Sequence, residues 1–153
     1  MVDFSSLLDA RAGEVKKPKA LAPGDYPGVI TNWTPVEAPK DKEYKTIIRL
    51  SLKLTDWAES VDEEDRMQDG PNGPTAINLA ARNLRRDYYD HRMFDLDQLF
   101  SDCGIEMEEA GRRLTYRELL PKLIGCQVMV EVQQYVSSRG EPGNQVNNLR
   151  PVQ

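Results

Sequence analysis

Residues 127–136 read Gln127-Val128-Met129-Val130-Glu131-Val132-Gln133-Gln134-Tyr135-Val136, in the last third of the chain, the part that decides the fold. Val128, Val130 and Val132 alternate with Met129, Glu131, Gln133 and Tyr135, the period of a strand buried on one face. The Ser-, Gly- and Pro-rich run at 137–143 reads as a flexible hairpin loop, and residues 145–152 close the chain with a short strand around 146–149. Just upstream, Phe94, Leu96, Leu99 and Phe100 recur at helical spacing over 93–100, with Gly104 as the stop. A second helical pattern spans 116–124. Thr115 with Glu118 three residues on fits a capping box, and Pro121 makes this helix short or starts it nearby.

Earlier in the chain, residues 44–54 give the clearest strand. Ile48, Leu50, Leu52 and Leu54 face one way, and Lys45, Ile47, Arg49, Ser51 and Lys53 the other. Residues 26–33 read as a first strand, where Pro27 suits a strand start or an edge and Gly28 permits a bend. An exposed loop at 34–43 joins the two. Within 79–89, the stretch 83–89 is expected to be extended, with Leu84, Arg86 and Tyr88 able to line one face. Three strands, a helical segment and two strands predict a mainly β fold, the small five-stranded barrel of the oligonucleotide-binding (OB) type. Its helical segment falls between strands three and four. Residues 1–23 form an N-terminal arm, carrying Phe4, Leu7 and Leu8 on one short apolar face before Lys16-Lys17-Pro18-Lys19. The barrel domain covers 24–153, with an acidic loop at 56–74. The arm reads either as a loose tail or as a subunit contact that would support a homo-oligomer.

A length of 153 residues fits one domain, and 29% charged residues is ordinary globular usage. No apolar run approaches the roughly 20 residues of a membrane helix. Asp3 stands where a signal peptide would carry a base. A soluble, cytoplasmic protein without membrane association is therefore expected. The net charge of −5 is unevenly spread: residues 56–69 hold seven acids against Arg66, so the rest of the chain is slightly positive. Local field, not total charge, steers a polyanion. The acidic stretch reads as a solvated loop or as a flap that competes with nucleic acid.

Catalytic motifs are missing. There is no GxSxG, phosphate loop or HExxH, and Cys103, Cys126 and His91 lack the spacing of a zinc site. His91 is expected at a solvated strand-to-helix turn. Asp95 and Asp97 fit the solvated face of a helix better than a magnesium site. No enzyme, metal or cofactor is expected, and function is sought on a surface.

In the barrel assignment that surface is the outer face of the second and third strands. Lys45, Arg49 and Lys53 come from the second, and some of Arg82, Arg85, Arg86, Tyr88 and Tyr89 from the third. Trp33, with Tyr135 and Arg139 at the last hairpin, extends it. Cations that track phosphates among flat rings that stack on bases are what sequence-tolerant single-strand binding requires. The competing reading makes Trp33, Tyr88 and Tyr89 core or rim residues and Arg85-Arg86-Asp87 an ion-paired edge. Asp87 and Glu131 interrupt the basic face.

The chain also resembles the small single-stranded DNA-binding proteins of tailed bacteriophages. The resemblance lies in Asp3-Phe4-Ser5-Ser6-Leu7-Leu8, Pro23-Gly24-Asp25-Tyr26-Pro27-Gly28-Val29-Ile30 and Leu84-Arg85-Arg86-Asp87-Tyr88-Tyr89. It continues through Leu123-Ile124-Gly125 into Val128-Met129-Val130-Glu131-Val132 and through residues 144–151. It implies an OB barrel that coats single strands during phage DNA replication or recombination, with replication or recombination proteins as partners. The acidic C-terminal tail by which many single-strand binders recruit partners is replaced here by Asn147-Asn148-Leu149-Arg150-Pro151-Val152-Gln153. The rival reading is a structural or protein-interaction module that binds no nucleic acid.

Overall fold

The structure, a computed structural model, describes residues 19–70 and 72–152. In chain order it gives β1 (Gly24–Glu37), β2 (Thr46–Leu54), β3 (Met67–Gly70), β4 (Gly73–Ala76), β5 (Leu84–Tyr89) and α1 (Phe94–Asp102). There follow β6 (Glu108–Glu109), β7 (Arg112–Arg113), α2 (Tyr116–Leu123), β8 (Gln127–Val136) and β9 (Pro142–Pro151). The protein is mainly β. Five strands form one antiparallel sheet in the order β5-β2-β1-β8-β9, while β3–β4 and β6–β7 are separate hairpins.

Alternation becomes burial on β8 and over most of β2, where Ile47, expected to face outward, is buried and Ile48 only half-buried. Leu50, Leu52 and Leu54 and Val128, Val130 and Val132 are buried, and they meet Leu96, Leu99 and Phe100 of α1 and Leu119, Leu120 and Leu123 of α2 in one core. Removing such side chains from water is worth roughly 1.5–3 kcal/mol each. The capping box forms: Thr115 Oγ1 accepts from the Glu118 N–H at 3.3 Å, and the Thr115 N–H donates to Glu118 Oε2 at 2.8 Å. The helix runs through Pro121 and stops two residues later. Tyr116 of α2 donates to Asp97 of α1 at 2.7 Å, which ties the two helices together.

The first strand is longer than its sequence pattern and changes partner along its length. Gly24 to Val29 pair with β8, and Gly28 to Glu37 pair with β2. Gly28 lies at the overlap, where a Cβ would sit 2.9 Å from Val130 Cγ2 and 3.0 Å from the Lys53 carbonyl oxygen. Only a residue without a side chain admits that approach. Pro27 is in the central strand rather than at an edge. Its carbonyl accepts from the Thr55 N–H at 2.9 Å, just past the end of β2.

The closed barrel expected from the element order is not formed. β5 and β9 come within 8 Å of each other, Cα to Cα, yet no backbone ladder joins them, so the sheet curls without closing. Side-chain direction on β5 supplies a reason. Leu84, Arg86 and Tyr88 pair with Leu52, Leu50 and Ile48, which puts Arg86 on the core side of the edge strand. An inward-pointing charge is one of the devices that stop an edge from pairing.

The acidic stretch is built, not loose. Ala58 and Val61 are buried, Trp57 packs against the core, a 3₁₀ turn covers Glu63–Arg66, and the β3–β4 hairpin follows. Of the expected arm, Ala20 and Leu21 are buried. The Leu21 N–H donates to Asn144 Oδ1 at 2.8 Å, and its carbonyl accepts from Asn144 Nδ2 and Gln134 Nε2, both at 2.9 Å. Residues 1–18, which carry the rest of the arm, lie outside the described residues.

Candidate nucleic-acid interface

The outer face is fixed by the β2–β5 register. Arg49 is opposite Asp87, Ser51 opposite Arg85, and Ile47 opposite Tyr89. Arg49, Ser51, Arg85, Asp87 and Tyr89 point away from the core lined by Leu50 and Leu52, while Ile47 on the same side is buried. Over them opens a cleft of about 860 Å³, lined on this side by Arg49, Lys53, Arg85, Asp87 and Tyr89. Arg82 and Asn83 close it from the segment before β5, and Tyr135, Asn144 and Gln145 from the β8–β9 hairpin. Arg86, although on the core side, reaches the cleft at the unclosed seam.

Five cations therefore line the cleft against the single carboxylate of Asp87. Arg49 holds that carboxylate in a two-pronged pair, Nε to Oδ1 at 2.9 Å and Nη2 to Oδ2 at 3.2 Å. The hydrogen bond to Asp87 raises the Arg49 pKa further above its ordinary value. Among the described residues no carboxylate lies within ion-pair distance of Lys53, Arg82, Arg85 or Arg86. Burial lowers the pKa of Arg82, since its guanidinium is partly withdrawn from water. Arg86 spreads its guanidinium 4.8 Å from the Tyr88 ring centroid, and its Nε is buried with no partner. Glu131, the other acid expected to interrupt this face, is outside the cleft and bonded to Arg150 at 2.6 Å.

Six of the ten expected site residues line the cleft: Arg49, Lys53, Arg85, Arg86, Tyr89 and Tyr135. Two stacking candidates are turned the other way. A β-bulge between Ile30 and Asn32 inserts Thr31, which shifts the parity of β1, so Trp33 pairs with Leu50 and packs against the core. Tyr88 shares the core face of Leu84 and is 4% exposed, and burial pushes its pKa up to about 12. Lys45 precedes β2 and Arg139 stands in the loop after β8; both are exposed and neither lines the cleft.

Tyr135 owes its position to a glycine. It is cross-strand from Gly143, and a Cβ there would lie 2.7–2.8 Å from Tyr135 ring atoms, so the ring rests on bare backbone. At the other end, Tyr89 stands 4.5 Å from Tyr44, centroid to centroid, and 6.2 Å from His91. Neither Tyr44 nor His91 belongs to the face expected from sequence; the signal for them is Tyr44 at the head of a strand whose partner ends in Tyr89. Arg82 belongs to the face expected from sequence, and Asn144 does not. A scan against protein-family models finds no match for this chain, and no curated protein matches it.

Proposed function

We propose that this chain is a non-enzymatic, largely sequence-independent binder of single-stranded DNA, resembling the phage-encoded proteins of that class and serving DNA replication or recombination. The cleft carries the reading: five cations and two outward tyrosines against one already-paired carboxylate, in a protein of net charge −5. Cations set among flat rings suit phosphates and unstacked bases, whereas duplex DNA keeps its bases out of reach of such rings. The strand order β5-β2-β1-β8-β9, with both helices between β5 and β8 in the chain, supports an OB-like barrel left open at its last seam.

Fluorescence anisotropy with labelled poly-dT, at about 50 and 200 mM salt and with duplex DNA as competitor, tests it. The expected result is tight binding that weakens steeply with salt and is not displaced by duplex. No binding at low micromolar protein would overturn the reading and favour an interaction module.

A further inference from the structure

We infer that Tyr44 and His91, with Tyr89, form a stacking subsite for one nucleobase of a single-stranded nucleic acid at the end of the cleft; this rests on the binding reading above. Tyr89 is the shared element, since it lines the cleft and contacts both other rings. His91 lies parallel to Tyr44, with 9° between planes and 5.6 Å between centroids, and it is exposed. A strand leaving the cleft over Tyr89 meets these rings next.

The cluster is held in place by an unusual use of an acid. Asp90 Oδ2 accepts both the Lys45 N–H at 2.9 Å and the Thr46 N–H at 2.8 Å. These bonds keep the Asp90 carboxyl below its ordinary pKa. They also tie the start of β2 to the end of β5, which sets Tyr44 against Tyr89. The Asp90 carboxylate is thus engaged with backbone, while Glu43, one residue before Tyr44, is exposed. Lys45, next to Tyr44 in the chain, is exposed, and among the described residues no carboxylate lies within ion-pair distance of it. A cation next to a ring stack matches a nucleotide's phosphate and base.

The test uses the fact that the chain has one histidine, so its imidazole resonances are unambiguous. An oligo-dA of about 12 nucleotides, within the span of one such domain, is titrated into the full chain while anisotropy follows binding. The expected result is an upfield shift of the His91 Hε1 and Hδ2 signals from the stacked adenine. His91→Ala is expected to weaken binding roughly tenfold, within the range of one lost stack. His91→Phe, which keeps the stack, should bind like the parent, and neither variant should move the melting temperature. Binding with unmoved His91 signals, or unchanged affinity in His91→Ala, overturns the subsite and leaves the cleft standing. No anisotropy change with the parent chain overturns both.

Discussion

The basic cleft and the acidic segment at 56–66 are both strongly charged, and they turn their aromatic rings in opposite directions. In the acidic segment Trp57 packs against the core, 6.0 Å from the buried Tyr26, and Arg66 lies over it at 5.6 Å. Arg66 also donates twice to the Val61 carbonyl, at 3.2 and 3.1 Å, which locks the turn onto its apolar anchors Ala58 and Val61. In the cleft, Tyr89 and Tyr135 face outward, Tyr135 with 45% of its surface exposed. A segment that packs its ring against the core shows solvent mostly solvated charge. A cleft that leaves its rings out offers flat apolar area next to charge, and that combination is what an unpaired base needs.

The contrast can be broken or sharpened by substitution. Trp57→Ala should cost about 2–3 kcal/mol in urea unfolding, somewhat below the loss for a fully buried Trp. It should leave oligonucleotide affinity within about twofold, far less than one lost stack. A large loss of affinity in the folded variant would mean the acidic segment belongs to the binding surface. Lys53→Glu combined with Arg85→Glu should do the reverse, weakening poly-dT binding about 100-fold at 50 mM salt and lowering the salt slope by roughly 1.5–2. Its unfolding free energy should stay within about 1 kcal/mol of the parent, as for other exposed positions. An unchanged slope would remove both residues from the site.

Gly143→Ala sharpens the part played by Tyr135. The new methyl must displace the ring, and titrations should show affinity falling about fivefold, the lower end for one stack. Tyr135→Ala should lose about as much, and its combination with Gly143→Ala no more than either alone. The smallest effect is expected at the ion pair. Asp87→Asn frees Arg49 and should strengthen binding two- to threefold, while Arg49→Ala weakens it by a similar factor, each moving the salt slope by no more than about one. If Asp87→Asn weakened binding, Arg49 would need its partner to be positioned, and the pair would be part of the site's geometry.

Much of the sheet was legible because Thr46–Leu54 and Gln127–Val136 are half-buried, and a half-buried strand writes its period into the sequence. The capping box at Thr115 was legible for a similar reason: two side chains at fixed spacing satisfy backbone groups locally. Trp33 was not, because the inserted Thr31 reverses parity without any residue type announcing a bulge. Tyr88 was not legible as a core residue, because an aromatic ring suits either face of an edge strand; β5 turns it inward with Arg86, whose guanidinium lies over the ring and still reaches the cleft. The β3–β4 and β6–β7 hairpins are too short to show alternation. Ala110-Gly111 makes its tight turn with both residues at positive φ, a conformation that Ala does not advertise. For the site, charge was readable from β2 and the last hairpin from its Ser-, Gly- and Pro-rich loop, while the contribution of Asn144 and Gln145 depends on β9 approaching β5 across the sheet, which no local pattern encodes.

The division of β1 between two partners also bears on how the chain acquires its structure during synthesis. Its first four residues pair only with β8, about a hundred residues downstream. At translation rates of about 5–20 residues per second, that part of the central strand waits on the order of ten seconds for its neighbour to be made. Nor can β2 shelter it, because β2 reaches back only to Gly28. Tyr26 and its flanking backbone are thus open to the solvent and to other nascent chains until the ribosome has nearly finished. The sheet's central strand is the one whose pairing spans the longest stretch of chain.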